Sequence, residues 1–190
     1  MKRIVFIASN RVHLARQKLL LDELGKHFEV DIFEPQQKEG GMSVSSILYA
    51  IEFNNFLSSK QYDYVLARGD RYEILPMVVV ASYKGIPIIH IEGGDLSGAI
   101  DNKVRYAITH LSDYHFCTNE ESHQRLIQNG ISPNKVWNFG SLDVEFAKSV
   151  DTIDVNLQHF IKEPYILVAY HEIPGEDSNE LEKALKHFEK

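Results

Sequence analysis

Short apolar runs, rich in β-branched residues, alternate along the chain with segments in which apolar residues recur at helical spacing. The runs predict six strands, at residues 4–8, 30–33, 62–67, 86–91, 114–117 and 136–138. The helical segments cover residues 11–27, 43–57, 72–83, 103–111 and 119–128. Short continuous apolar runs of this kind are typical of buried strands.

Apolar strands that each lead into a helix indicate βαβ units and a parallel sheet covered by helices on both faces. The predicted fold class is therefore α/β, with a parallel Rossmann-like sheet. Ligands of such sheets bind outside the carboxyl ends of the strands, so the residues directly after each strand are the ones to consider. They are Ser9–Arg11, Arg68–Arg71, Glu92–Asp95 and Gly140–Ser141.

The pattern loosens after residue 150, which indicates a change of domain. Residues 1–150 are expected to form the Rossmann-like N-terminal domain, and residues 151–163 a connector with a short amphipathic helix. Residues 164–190 contain one more apolar run and a charged helical segment. Because one strand and one helix cannot bury a core alone, we expect 164–190 to pack back on the first domain or to begin an incomplete second domain.

The composition, with 44% hydrophobic and 25% charged residues, is that of an ordinary globular protein. The net charge of −7 argues against nucleic acid and anionic membranes as partners, since both favour a basic surface. We expect no signal peptide, because the apolar stretch 4–8 is too short for its hydrophobic region and Arg11 follows soon after. We expect no membrane span, because no apolar run approaches ~20 residues. Cys117 is the single cysteine, which favours a cytoplasmic protein without disulfides, and its apolar neighbours predict a buried thiol.

Acidic residues follow two of the predicted strands, at Asp70, at Glu92 and at the Asp95/Asp101 pair of one loop. Carboxylates gathered in a cleft raise one another's pKa, which separates acid and base roles near neutral pH. Each could instead be a cap or a solvated loop residue. Asp101 in particular could N-cap the helix predicted to start near Lys103. Their common position at one sheet edge favours chemistry.

The loop from Glu92 to Gly98 contains three glycines directly after a strand, so its backbone could approach a ligand closely. It lacks the spacing of phosphate-binding and dinucleotide-binding glycine motifs, and a tight turn is the alternative. Arg11 opens the first predicted helix, where a guanidinium and a helix N-terminus together favour phosphate. Arg105 is four residues after Asp101, which is the spacing of a helical ion pair.

The histidines offer one further candidate group. None of the pairs formed by His90, His110, His115 and His171 has the helical spacing of zinc ligands, and a lone cysteine provides no thiolate set, so we expect no metal. His171 follows the apolar run at 165–169. It is a candidate acid or base, with an ordinary loop histidine as the alternative.

Several motifs occur in order within the first domain. They are Gly69-Asp70-Arg71, His90-Ile91-Glu92-Gly93-Gly94-Asp95-Leu96-Ser97-Gly98, Ile100-Asp101-Asn102 and Arg105-Tyr106-Ala107-Ile108-Thr109. These motifs closely resemble those of the hydrolysing UDP-N-acetylglucosamine 2-epimerases of sialic and legionaminic acid synthesis. The resemblance runs roughly over residues 62–145, and Arg11 and His171 also match family positions.

The resemblance implies a two-domain fold of glycosyltransferase-B type, with UDP-N-acetylglucosamine in the interdomain cleft. It implies removal of the C2 proton, elimination of UDP to give 2-acetamidoglucal, and addition of water to release N-acetylmannosamine, without a cofactor. The catalytic candidates implied are Asp70, Glu92, Asp101 and His171. The substrate-binding candidates are Arg11, Arg71, Gly93, Gly94, Ser97 and Arg105.

The sequence also departs from the family pattern. Family members carry a second domain of comparable size, which holds most of the UDP contacts, and this chain contains only the beginning of such a domain. We therefore expect a homo-oligomer or a partner chain that supplies the second domain. The alternative is a catalytically inactive or partner-dependent half that acts as a binding or assembly module. A glycosyltransferase of the same architecture fits these sequence motifs less well.

Overall fold

The computed structural model describes residues 1–9, 14, 17–96, 99–149, 182, 183, 185 and 186. The chain divides into two compact units, Met1–Ser149 and Val150–Lys190. The connector expected at 151–163, and all but four positions of the segment 164–190, lie outside the described residues. The domain boundaries therefore stay a prediction.

The first unit is built on six parallel strands in the spatial order β2-β1-β3-β4-β5-β6. The strands are β1 Arg3–Ile7, β2 Glu29–Phe33, β3 Tyr64–Arg68, β4 Ile88–Ile91, β5 Tyr114–Cys117 and β6 Val136–Asn138. The helices are α1 Lys18–Leu24, α2 Gly41–Leu57, α3 Ile74–Tyr83, α4 Ala99–Leu111, α5 Glu120–Gln128 and α6 Leu142–Lys148, with a 3-10 turn at Pro133–Lys135.

Alternation of side chains along the strands divides the core between the two faces of the sheet. Val5 and Val65 point to the face covered by α2, α3 and α4, where they pack with Phe53 and Met77. Leu66 points to the opposite face together with Ile4, Phe6 and Ile91, and the leucines of α1 pack against these strand residues. The predicted parallel sheet with helices on both faces is confirmed.

Two element boundaries differ from the predictions in ways that affect the candidate site. The fourth helix, α4, begins at Ala99 rather than near Lys103, so Asp101 lies in its first turn and the N-cap interpretation was wrong. A carboxylate in the first turn is favourable because it faces the positive end of the helix dipole. β3 ends at Arg68, one residue later than predicted, which makes Arg68 a buried strand residue.

The single cysteine is part of the core. Cys117 is 1% exposed, and its Sγ lies 3.4 Å from the carbonyl oxygen of Trp137. Burial raises the pKa of the Cys117 thiol to about 11, which keeps it protonated near neutral pH. The predicted buried thiol is confirmed. In the described part of the chain, no helix has the length and apolar content needed to span a membrane.

Candidate active site

The carboxyl ends of β3 and β4 bring the first two candidate carboxylates together. Arg68 and Ile91 are paired in the sheet register, and the Gly69 amide donates a 2.9 Å hydrogen bond to the Ile91 carbonyl oxygen. Asp70 and Glu92 therefore leave the sheet side by side. A Cβ atom at Gly69 would lie 3.9 Å from Glu92 Oε2, so the Glu92 carboxylate lies beside the backbone that carries Asp70.

Asp70 is held by an arginine from α4. Arg105 Nη2 donates a hydrogen bond to Asp70 Oδ2, and Arg105 is largely buried. The helical ion pair predicted between Arg105 and Asp101 does not form among the described residues, so that prediction was wrong. Arg105 lies in the middle of α4, and its guanidinium contacts Asp70 in the loop after β3 instead of Asp101 along the helix.

Glu92 is held by an arginine from β3. Arg68 is 2% exposed; its Nη2 donates a hydrogen bond to Glu92 Oε1 and lies 3.0 Å from Asp143 Oδ1 in the first turn of α6. Burial acts to lower the pKa of Arg68, but hydrogen bonds and charges from Glu92 and Asp143 outweigh it and raise the pKa above its usual value. Sequence reasoning missed both Arg68 and Asp143 as site residues.

The backbone of Glu92 adopts a left-handed conformation, with φ of +66°. It is the one non-glycine residue with positive φ in the described part of the chain. This conformation costs an L-residue roughly 1–2 kcal/mol and persists only where its surroundings hold it. The Glu92 amide donates a 2.8 Å hydrogen bond to the Phe116 carbonyl oxygen of β5, which fixes the turn.

The two glycines after Glu92 are required by packing. A Cβ atom at Gly93 would lie 3.0 Å from His90 Nδ1, and one at Gly94 would overlap the backbone of Ser122 in α5. Gly94 also has φ of +84°, which side chains rarely adopt. The tight-turn interpretation accounts for both glycines, and their role in substrate binding stays a prediction.

His90 supports the loop that carries Asp70. It is completely buried; its Nε2 donates a 2.9 Å hydrogen bond to the Gly69 carbonyl oxygen, and its Nδ1 lies 3.1 Å from Thr109 Oγ1, which can donate to it. Burial lowers the pKa of His90 to about 3, although the bond to Gly69 acts to raise it. The imidazole is thus neutral near pH 7.

Asp95 has a structural role in the same loop. Its Oδ1 accepts hydrogen bonds from Thr118 Oγ1 at 2.8 Å and from Ser122 Oγ at 2.5 Å. Both donors lie at or just before the start of α5, where Asn119 caps the helix. Asp95 therefore joins the loop after β4 to α5. The catalytic roles of Asp70, Glu92 and Asp101 stay predictions.

A family model described as UDP-N-acetylglucosamine 2-epimerase matches residues 12–190, which is most of the chain. The chain belongs to the UDP-N-acetylglucosamine 2-epimerase family. Of the motifs that suggested this family, 69–71 follows β3 and 90–98 begins in β4, while 100–102 and 105–109 lie in α4. The predicted resemblance is confirmed.

Two relatives align with most of this chain but with less than half of their own length. Polysialic acid biosynthesis protein P7 of Escherichia coli is 38% identical over 125 residues, covering 63% of this chain and 32% of the relative. UDP-N,N'-diacetylbacillosamine 2-epimerase (hydrolyzing) of Legionella pneumophila is 34% identical over 152 residues, covering 77% of this chain and 40% of the relative. The chain thus spans 32–40% of the length of these curated relatives.

A solved structure confirms the fold of this 2-epimerase family member. The complex of S. aureus MnaA with UDP superposes with a TM-score of 0.75 at 19% identity, over 84% of this chain and 50% of that chain. At this identity the likeness concerns the fold alone. It agrees with the predicted parallel sheet of glycosyltransferase-B type.

The remaining candidates of the 2-epimerase motifs lie around this pair of strands. Asp101 is exposed in the first turn of α4, and Arg71 is half-exposed after β3. The pKa of Arg71 is raised, chiefly by its 2.8 Å hydrogen bond to Glu73, with the charge of Asp101 contributing as well. Asp101 therefore lies close enough to the loop after β3 for its charge to contribute to the raised pKa of Arg71.

Three candidates lie outside the described residues, namely Arg11, Ser97 and His171. Their positions relative to Asp70 and Glu92 stay predictions from the family motifs. Across the residues that the structure describes, no three His, Cys, Asp or Glu side chains are grouped so that they could hold a metal ion.

A groove of about 690 Å³ opens beside Glu92 on the sheet face that α1 covers in part. Its floor consists of apolar strand residues such as Leu66, Ile89 and Phe116, and Thr118 and Ser141 lie with Glu92 at its polar end. The volume is within the range of small-molecule sites. Glu92, with a side chain 20% exposed, is therefore accessible to a ligand despite its ion pair.

Proposed function

We propose that this protein acts as a hydrolysing 2-epimerase of UDP-N-acetylglucosamine. The observation that carries the proposal is the arrangement of Asp70 and Glu92. They follow adjacent parallel strands of a 2-epimerase family chain, and each is paired with a largely buried arginine, Arg105 and Arg68 respectively. The two carboxylates are thus held beside one another at the edge where such sheets bind ligands.

The reaction needs groups that remove and deliver protons at the sugar. A carboxylate takes the proton from C2, the C1–O bond breaks with its electron pair leaving on the β-phosphate of UDP, and a C1–C2 double bond forms. Water then gives its hydroxyl to C1, and a proton returns to C2 from the opposite face, which yields N-acetylmannosamine. Asp70, Glu92, Asp101 and His171 are the groups proposed for these transfers. No cofactor is required.

The departing UDP needs positive charge near its phosphates. Arg68, Arg71 and Arg105 each contact a carboxylate through one nitrogen. Arg68 and Arg105 are 2% and 10% exposed, whereas the Arg71 side chain is 48% exposed. Arg71 is therefore the guanidinium of this loop that we assign to the diphosphate. Arg11, Ser97 and the backbone of Gly93 and Gly94 complete the proposed binding set.

A second substrate follows from the Legionella relative, whose name specifies UDP-N,N'-diacetylbacillosamine. Both sugars carry an acetamido group at C2 and UDP at C1, so the same carboxylates serve either one. The substrates differ at C4 and C6 of the ring. We retain UDP-N-acetylglucosamine as the first candidate and UDP-N,N'-diacetylbacillosamine as the second.

The proposal is tested by incubating the chain with each UDP-sugar in heavy water. We expect free UDP and a 2-epimerised sugar with one deuterium at C2. Glu92→Gln should slow both signals at least about 100-fold. Arg3→Met is the matched control, because Arg3 pairs with Glu29 at the opposite edge of the sheet. UDP binding by calorimetry without release or exchange would favour the binding-module alternative and contradict the enzyme.

We also infer that the protein works as a homo-oligomer. The 17-residue helix α2 carries one charged residue, Glu52, yet five of its apolar side chains are between 40% and 64% exposed. They are Met42 in the first turn, and Val44, Ile47, Leu48 and Ile51 on the side away from the buried residues. Together they leave on the order of 500 Å² of apolar surface, as much as the largest patch on a typical monomer. An uncharged face can meet its own copy about a twofold axis without opposing like charges.

Light scattering of the purified chain tests this assembly. We expect a dimer or larger species for the native chain and a monomer for Ile47→Glu, with Ser43→Glu near the helix start as a milder comparison. A native chain that is monomeric at micromolar concentration contradicts the homo-oligomer and favours the partner chain. A cytoplasmic location remains a prediction from the single cysteine.

A further inference from the structure

Arg68 lies between two carboxylates that come from distant parts of the sequence. Its Nη2 contacts both Glu92, just after β4, and Asp143, in the first turn of α6. Among the residues that the structure describes, its Nε and Nη1 are buried without a hydrogen-bond partner. The guanidinium is therefore held by these two carboxylates rather than by a wider polar network.

The backbone at Glu92 needs such an anchor. Its φ of +66° is a conformation in which glycine is less strained, and glycines occupy the next two positions. The chain nevertheless has a carboxylic acid at this position. The Glu92 side chain is partly exposed and lines the groove, while the Arg68 side chain that holds it is buried.

We propose that Arg68 is the positioning residue for Glu92 in the proposed reaction. Its buried guanidinium fixes the Glu92 carboxylate at the end of β4, and its contact with Asp143 joins that carboxylate to the start of α6. Arg68 itself does not touch the sugar. This inference rests on the proposed function for its kinetic consequences, but the positioning itself is a property of the folded chain.

Burial explains why arginine suits this position. The planar delocalised cation tolerates burial better than an ammonium group does. Lysine also has one nitrogen that can donate to both carboxylates, but its strongly hydrated ammonium costs more to bury. Methionine would remove the cation that lies between the two carboxylates, and the strained turn at Glu92 would then be free to relax.

The kinetic test compares Arg68→Met and Arg68→Lys with the control Arg3→Met in the deuterium-exchange assay. We expect Arg68→Met to lower kcat about 100-fold or more, because a displacement near 1 Å of a catalytic group has effects of that size. KM should change by less than about threefold, since Arg68 does not bind substrate. Arg68→Lys should recover part of kcat, and Arg3→Met should retain the native value.

Two kinetic results would overturn the proposal. A native kcat in Arg68→Met would mean that Glu92 needs no anchor. A raised KM with kcat unchanged would mean that Arg68 contacts the substrate instead of positioning Glu92. A merely structural role would lower the amount of folded protein without changing the ratio of kcat to KM per folded molecule.

A second measurement tests the positioning of Glu92 by Arg68 without relying on activity. If the native chain releases no UDP, the proposed function fails, but this measurement still tests the positioning role. The Glu92 amide donates to the Phe116 carbonyl oxygen, and its hydrogen exchange can be followed by NMR. In Arg68→Met we expect this amide to exchange at least about tenfold faster, while amides of β1 keep their protection. Unchanged protection of the Glu92 amide would refute the positioning role. Equally accelerated exchange throughout the sheet would also refute it, because the substitution would then destabilise the whole fold instead of the turn at Glu92.

Discussion

The guanidinium of Arg105 in α4 pairs with the carboxylate of Asp70, which precedes it by 35 residues and follows β3. The pair joins the helix that carries Asp101 to the loop that carries Asp70. Arg105 is largely buried, and its Nε and Nη1 have no hydrogen-bond partner in the described part of the chain. The contact with Asp70 is thus the main polar attachment of this buried cation.

Loss of this attachment should be costly. Arg105→Met leaves Asp70 partly buried beside an apolar side chain, so we expect the free energy of unfolding to fall by about 1–3 kcal/mol. The double variant Arg105→Met/Asp70→Asn should recover part of the loss, because the side chain that Arg105 contacts is then neutral as well. Urea denaturation measures both. Lys26→Met, which breaks an exposed pair with Glu23, is the control and should have no measurable effect. Strictly additive losses in the double variant would contradict the pairing.

Gly94 and Gly130 form a matched pair for testing the packing of the loop after β4. Both have positive φ, +84° and +88°, but a Cβ at Gly94 would overlap Ser122 whereas one at Gly130 would meet nothing within 4 Å. Gly130→Ala should cost about 1 kcal/mol through backbone strain alone. Gly94→Ala should cost at least about 2 kcal/mol more, through overpacking against α5. Equal shifts of the thermal midpoint in the two variants would show that the loop can move away from Ser122 at little cost in stability.

Two buried histidines should make the fold sensitive to mild acid. Burial lowers the pKa of His90 to about 3 and that of His115 to about 4, whereas both titrate near 6.5 when unfolded. Between these values the unfolded chain binds protons that the folded chain does not. Stability is therefore fully present above pH 6.5 and is lost as the pH falls towards 4 and 3.

The expected loss between pH 7 and pH 5 is about 2 kcal/mol for each histidine. Urea denaturation at the two pH values measures it, and the difference between them should fall by about half in His90→Asn. The contribution has the opposite sign to that of a histidine that gains an acidic partner. Stability that rises on acidification from pH 7 to pH 5 would contradict the neutral, buried state of both rings.

Asp101 and Asp95 should respond in opposite ways to the same substitution. Asp101 is exposed, so Asp101→Asn should change the free energy of unfolding by less than about 0.5 kcal/mol. In the proposed reaction it should nevertheless lower the rate of deuterium exchange at C2 at least about 100-fold. Asp95→Asn should weaken the contacts with Thr118 and Ser122 and lower the thermal midpoint, while activity per folded molecule is retained. A reversed pattern would assign the catalytic role to Asp95.

The parallel sheet and the acidic character of its carboxyl edge follow from the order of residues along the chain. Continuous apolar runs such as the one that forms β4 can be buried only in a sheet covered on both faces, so their order along the chain predicts parallel strands. The positions of Asp70 and Glu92 directly after two runs then predict that both carboxylates lie at the carboxyl edge. These inferences need only local pattern and the general rules of α/β folds, and the family motifs agree with them.

The groups that hold those carboxylates become visible only in the folded chain. Asp101 is the nearest acid to Arg105 along α4, but Asp70 is its partner, and Arg68 meets Glu92 across 24 positions of sequence. The left-handed turn at Glu92 and the fit of Gly94 against α5 also depend on elements that the sequence separates widely. Ion pairs follow distance in space and burial, and both are set by strand register and helix packing, which local periodicity does not encode.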